Sequence, residues 1–181
     1  MTRFLFLTVI FLVTASSTFA DALFFAVKTT PYDRQMARIR PVLTTLGAHP
    51  SKPVSLTIVN RWMGDLRSIP YGFTTIWKTP AETRSGQPAD CKAKAVALYQ
   101  KMTANGATNV RLVIGKRTPS SRRTHAWLDW DSQNVSYVLD PTFNWAALKM
   151  KQVGRGNYQP FFVYEGTKKF RAASSTLIAQ K

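Results

Sequence analysis

Two short runs, residues 124–130 and 135–141, alternate apolar with polar side chains on either side of Asp131-Ser132-Gln133-Asn134. A period of two is the mark of a half-buried strand, and two such runs around a short polar break read as a β-hairpin. With a four-residue loop, Trp130 pairs with Val135 and the paired positions sum to 265, which sets His125 directly opposite Asp140. Their Cβ atoms are then expected ~4.5–5.5 Å apart, within reach of an imidazole to carboxylate hydrogen bond. The other face collects Ala126, Leu128, Trp130, Val135, Tyr137 and Leu139, an apolar set suited to packing beneath that pair. A slip of one residue would mix the two faces, so the pattern opposes it.

The helix best placed to meet that face begins at residue 91. Asp90 is a good N-cap, an Ala-rich stretch follows, and Cys91, Ala95, Leu98 and Met102 fall on one face before Asn105-Gly106 closes the helix. Cys91 thus lies in the first turn, where free N–H groups and the helix dipole favour a thiolate. Residues 32–46 suggest an earlier helix, interrupted or ended near Pro41. Residues 53–66 suggest another, with Val54, Ile58, Trp62 and Leu66 facing the core. Residues 69–89 carry Pro70, Gly72, Pro80, Gly86 and Pro88, and are expected to be irregular, running over the surface or lining a cleft. Residues 110–114 read as a strand, 115–123 as a basic loop, 161–164 and 170–172 as a second hairpin, and 174–181 as a frayed end.

Arg3, an apolar run over 4–13 and small residues over 14–20 make residues 1–20 a secretory signal peptide, with the domain spanning 21–181. A periplasmic or secreted protein is expected. The apolar run falls short of the ~20 residues of a membrane span; a retained anchor is the alternative, because residues 22–27 could lengthen it. About 160 residues remain, enough for one domain and expected as a monomer. The chain holds 25 Lys+Arg against 9 Asp+Glu; removing Arg3 leaves 24 against 9, a net charge of +15. That balance suits an acidic protein substrate or an anionic envelope polymer. Nucleic acid is disfavoured by export and by the lack of a recognisable binding module. The single cysteine excludes an internal disulfide and a Cys-rich zinc site, and with only His49 and His125 beside it no metal site is expected. His49, next to Pro50, reads as a surface-loop residue.

A cysteine at a helix N-terminus, a histidine on a strand and a carboxylate on the next strand supply a nucleophile, its base and the group that orients the base. Taken singly, each has an ordinary structural reading. Together they point to nucleophilic catalysis by Cys91, His125 and Asp140.

The order and spacing of Val59-Asn60, Ile69-Pro70-Tyr71, Trp77-Lys78-Thr79-Pro80-Ala81-Glu82, Asp90-Cys91, His125-Ala126 and Tyr137-Val138-Leu139-Asp140 resemble the bacterial transglutaminase-like cysteine proteinases. The best-known type in that family is a periplasmic enzyme that releases biofilm adhesins from the cell surface. The likeness covers residues 56–170. It implies an α+β papain-like or transglutaminase-like domain, with the nucleophile helix packed on an antiparallel sheet and Cys91, His125 and Asp140 at the triad positions. It also implies Trp77 as an oxyanion donor beside the Cys91 amide, the alternative being a Trp77 that only packs under its loop. Glu82 either holds that loop or is solvated. The family usually reads Asp-Cys-Glu-Asp around the nucleophile, and its adhesin-releasing type holds calcium there. Lys92 and Ala93 replace those carboxylates, so no cofactor is expected.

The reaction so implied is amide hydrolysis of a protein or peptide through a thioester. The alternatives are acyl transfer to an amine, which cross-links proteins, and a non-catalytic, basic envelope-binding protein of the same fold. The cations from Lys116-Arg117 to Arg122-Arg123 either lie at the cleft mouth and attract an acidic substrate or form a solvated loop.

Overall fold

The computed structural model describes residues 24–45, 54–84 and 87–173, so the expected leader, His49 and residues 174–181 lie outside the described residues. The alternating runs build a seven-stranded antiparallel sheet. Its strands are β1 (Phe24–Ala26), β2 (Val110–Lys116), β3 (His125–Ser132), β4 (Val135–Leu139), β5 (Leu148–Lys149), β6 (Gln159–Glu165) and β7 (Lys168–Ala172), in the order β1-β7-β6-β2-β3-β4-β5. Helices α1 (Arg40–Thr44), α2 (Leu56–Ser68) and α3 (Cys91–Ala104) precede all but the first strand, giving the expected α+β arrangement. Among the described residues no helix is long and apolar enough to cross a membrane. Phe24–Ala26, within the run that could have lengthened an anchor, pairs with β7 as an edge strand.

Helix α3 is the centre of the core. Ala93, Ala95, Val96, Ala97 and Leu98 are all buried, and small side chains let the helix lie close to its neighbours on more than one side. It rests on β2 and β3, whose Leu112, Ile114, Ala126, Leu128 and Trp130 join the same apolar cluster, and is covered by α1 and α2. The expected face of Cys91, Ala95, Leu98 and Met102 is buried throughout. The opposite face of the sheet carries a smaller cluster of Val113, Trp127, Val138, Tyr158 and Val163. The central strands are therefore buried on both faces.

The hairpin has a different register from the expected one. Leu128 pairs with Leu139 and Ser132 with Val135, so the sum is 267 and the loop is only Gln133-Asn134. Both loop residues adopt positive φ, 49° and 62°, as a tight two-residue turn between twisted strands requires. Asp131 and Ser132 therefore continue β3. The shift of two leaves each side chain on its expected face, but Asp140 now lies beyond the end of β4 and diagonal to His125. The second hairpin departs in the same sense: Glu165 pairs with Lys168, leaving a two-residue loop instead of five.

The helices show one further difference. In α2, capped by Ser55, the buried stripe is Val59, Met63 and Leu66, while Ile58 and Trp62 are only partly covered. A strict spacing of four drifts by ~40° per step, whereas spacings of four and three hold one face. The 32–46 region is interrupted as expected. A 3-10 turn over Gln35–Ile39 gives way to α1 with Pro41 in its first turn, where a missing N–H costs nothing.

One close backbone approach locks the middle of the sheet. Gly115 pairs with His125 on one side and with Pro160 on the other, at a bulge between β2 and β6. A methyl group there would overlap the Gln159 carbonyl and meet the Trp127 ring at 2.8 Å. Gly115→Ala is therefore expected to lower stability by more than ~2 kcal/mol in urea denaturation; a variant as stable as the parent would contradict this packing.

Candidate active site

Asp90 caps α3 as expected, its fully buried carboxylate accepting the Ala93 amide at 3.0 Å through Oδ1. Oδ2 accepts the Thr74 amide at 3.3 Å and the Lys92 ammonium, and Lys92 also donates to the Thr74 carbonyl at 2.8 Å. The cap thus fastens the irregular segment 69–89 to the first turn of α3. Cys91 is the first residue of that turn, and only 8 % of it is exposed.

His125 opens β3, and its Nε2 lies 2.8 Å from Asp140 Oδ2. The ring is held edge-on by Phe143, 5.2 Å between centroids, and stacked by Trp127 at 6.2 Å. With Nε2 engaged by the carboxylate, Nδ1 is the nitrogen left for the thiol. Burial opposes the imidazolium, but the hydrogen bonds and charges of Asp140 and Cys91 outweigh it and hold the His125 pKa at about 9.

Asp140 is fully buried and accepts three hydrogen bonds. Beside His125, the Tyr158 hydroxyl donates to Oδ2 at 2.9 Å and the Thr142 amide donates to Oδ1 at 3.0 Å. Tyr158 itself accepts from Asn144 at 3.0 Å, packs edge-on against Trp127, and takes a left-handed backbone, φ 51°. Burial and the Asp140 charge raise its pKa, so it stays a donor.

No pattern in the residues marks Tyr158, which falls in an irregular stretch between the two hairpins. Nor does any pattern mark Lys94. It is 1 % exposed and donates to the Ile69 carbonyl at 2.6 Å, a charge hidden in what reads as the apolar side of a helix. Asn60 is accounted for by its bond to the Ala147 amide at 2.9 Å.

Cys91 and His125 line a cleft of about 720 Å³, together with Trp77, Phe73, Phe143 and Thr142. Trp77 is 1 % exposed, and its indole N–H has no acceptor among the described residues. Of the two readings of Glu82, the loop-holding one is observed. Its carboxylate accepts the Thr79 amide and hydroxyl at 2.7 and 2.9 Å in a capping box, bonds that hold its pKa down at about 2. The basic loop reaches the cleft through Arg117, Arg122 and Arg123.

The His125 pKa is open to direct measurement. In a histidine-selective NMR titration His125 should titrate near pH 9, and Asp140→Asn should bring it down towards 6.5. Because the folded value lies above that of a free imidazole, the stabilisation is complete below pH 6.5 and lost as pH rises through 9. The destabilisation caused by His125→Ala should shrink over the same window. A midpoint near 6.5 in the parent protein would mean that the pair is not formed.

No protein-family model matches the chain, and no curated protein matches its sequence. Solved structures do match it. Calcium-bound LapG of Legionella pneumophila is 17 % identical, with 81 % of this chain and 85 % of that one covered and a TM-score of 0.53. EGTA-treated LapG is 15 % identical over 81 % and 80 %, with a TM-score of 0.55. A further LapG structure is 15 % identical over 83 % and 84 %, with a TM-score of 0.53. A calcium-bound form and an EGTA-treated form overturn the expectation of no cofactor for this fold. That expectation weighed only Lys92 and Ala93, whereas calcium takes six to eight oxygens, backbone carbonyls included, so two side chains cannot decide it. Among the described residues no three His, Cys, Asp or Glu side chains converge as a metal site, and both Asp90 oxygens are already engaged. No step of the chemistry is routed through such an ion. At this level of identity the likeness speaks for the fold: the chain has the transglutaminase-like α+β fold, with the Cys91 helix packed on an antiparallel sheet.

Proposed function

We propose that this protein is an exported cysteine hydrolase that cleaves amide bonds of a protein or peptide substrate, with residues 1–20 as its leader. One observation carries the reading: Cys91 at the start of α3 and His125, itself hydrogen-bonded to the buried Asp140, line a single cleft. The motifs resembling transglutaminase-like cysteine proteinases and the fold shared with LapG support it.

In this reading the Cys91 thiolate attacks the carbonyl carbon, and the oxyanion so formed is met by the Cys91 amide and the Trp77 indole. The unpartnered buried N–H of Trp77 is what recommends it as that second donor. The His125 imidazolium protonates the leaving amine as the C–N bond breaks, leaving a thioester. Water then attacks the thioester, giving its proton to His125, and the acid departs as the thiolate is restored. Asp140 keeps the imidazole oriented and charged, with Tyr158 as a positioning residue behind it. The cleft arginines favour a substrate with acidic character.

Labelling by iodoacetamide at neutral pH tests the nucleophile. Cys91 should react at least ~10-fold faster than free cysteine, and both His125→Ala and Asp140→Asn should slow it. Slow labelling that neither substitution alters would sink the hydrolase and favour a basic envelope-binding protein. Trp77→Phe should leave labelling unchanged yet cut kcat on an activated ester by ~10²–10³-fold. Unchanged kcat would remove Trp77 from the oxyanion site.

A further inference from the structure

The walls of the cleft carry a charge pattern that acyl transfer alone does not require. Arg117, Arg122 and Arg123 line it, and no Asp or Glu does. Among the described residues none of the three has a carboxylate partner, whereas Lys92, also in the lining, is occupied by Asp90 and Thr74. Two of the guanidinium groups are seated on aromatic rings. Arg117 lies 4.1 Å from the centroid of Phe143 and Arg123 lies 5.2 Å from that of Phe73. A guanidinium resting on a ring is held in place with its N–H edge still free to grip a carboxylate through two hydrogen bonds.

One stack adjoins the His125 ring, and the other adjoins the residue after Cys91. Phe143 touches the His125 ring, so Arg117 is one ring away from the imidazole. Phe73 takes the Lys92 ammonium at 5.2 Å, next to Cys91 in sequence, and receives Arg123 from the β2–β3 loop. Both aromatic residues are exposed, Phe73 at 60 % and Phe143 at 48 %, and Tyr71, also in the lining, is exposed as well.

We infer that the cleft takes an acidic segment of a protein chain, with carboxylate side chains meeting Arg117 and Arg123. That the segment is a substrate rests on the hydrolase reading. The exposed apolar side chains decide between occupants. They suit a chain that alternates carboxylates with apolar residues, which a phosphate or sugar polymer does not supply.

The test uses Cys91→Ala protein and two fluorescein-labelled peptides of equal length, one alternating Glu with Leu and the other Gln with Leu, read by fluorescence anisotropy. The Glu peptide should bind about tenfold more tightly at low salt, and the advantage should fall within about twofold at ~1 M NaCl, where the screening length is ~3 Å. Replacing Arg117 and Arg123 together by alanine should abolish it. Equal binding of the two peptides, or a preference that survives the double replacement, would overturn the inference. So would polyphosphate displacing the Glu peptide better than the unlabelled peptide does. Iodoacetamide labelling of the Cys91 protein separates the two claims. A reactive thiol without a Glu preference removes only the acidic substrate, and an inert thiol removes the hydrolase whatever the peptides do.

Discussion

A carboxylate sealed from water is the constraint around which this domain is arranged. Removing an ion from water costs several kcal/mol unless hydrogen bonds and an opposite charge replace the lost solvation. Asp140 gets that replacement from three elements: the His125 ring at the start of β3, the Thr142 amide just past β4, and the Tyr158 hydroxyl ahead of β6. Each partner depends on a further contact. The bulge at Gly115 brings β6 close to β2, the left-handed backbone at Tyr158 aims its side chain, and Trp127 fills the space beneath both rings. The sheet registers and the His125 protonation state therefore serve the same charge.

Much of this was legible in the residues. The alternation after residue 124 put His125 and Asp140 on one face, and that survived a register error because the error was even. The misreading has one cause in both hairpins. Polar residues such as Asp131, Ser132 and Glu165 read as loop residues, but strands can carry polar side chains to their tips, and φ > 0 at Gln133 and Asn134 allows the shortest connection. The α3 cap was plain from Asp90 and the alanines beyond it. Tyr158 and Lys94 were not, because each acquires its role only when distant segments meet: Tyr158 at Asp140, Lys94 at Ile69.

Calcium illustrates the opposite difficulty. Side chains next to a nucleophile are easy to read, but a hard cation is held by oxygens that a loop supplies from its backbone, and these leave no trace in residue type. At 15–17 % identity the likeness speaks for the fold, and the calcium is LapG's. The sequence motifs and the solved LapG structures converge on the same architecture by independent routes.

The segment leading to Cys91 is tied down unevenly. Its root is fixed in the core, where Lys94 holds the Ile69 carbonyl and the Ala89 amide holds that of Pro70. Its tip is fixed at Thr74 by Asp90 and Lys92, and between these ties Tyr71 and Phe73 face solvent. The cleft rim and the footing of Cys91 are thus separable: side chains along the rim are free to change, while the buried ties keep Cys91 in place.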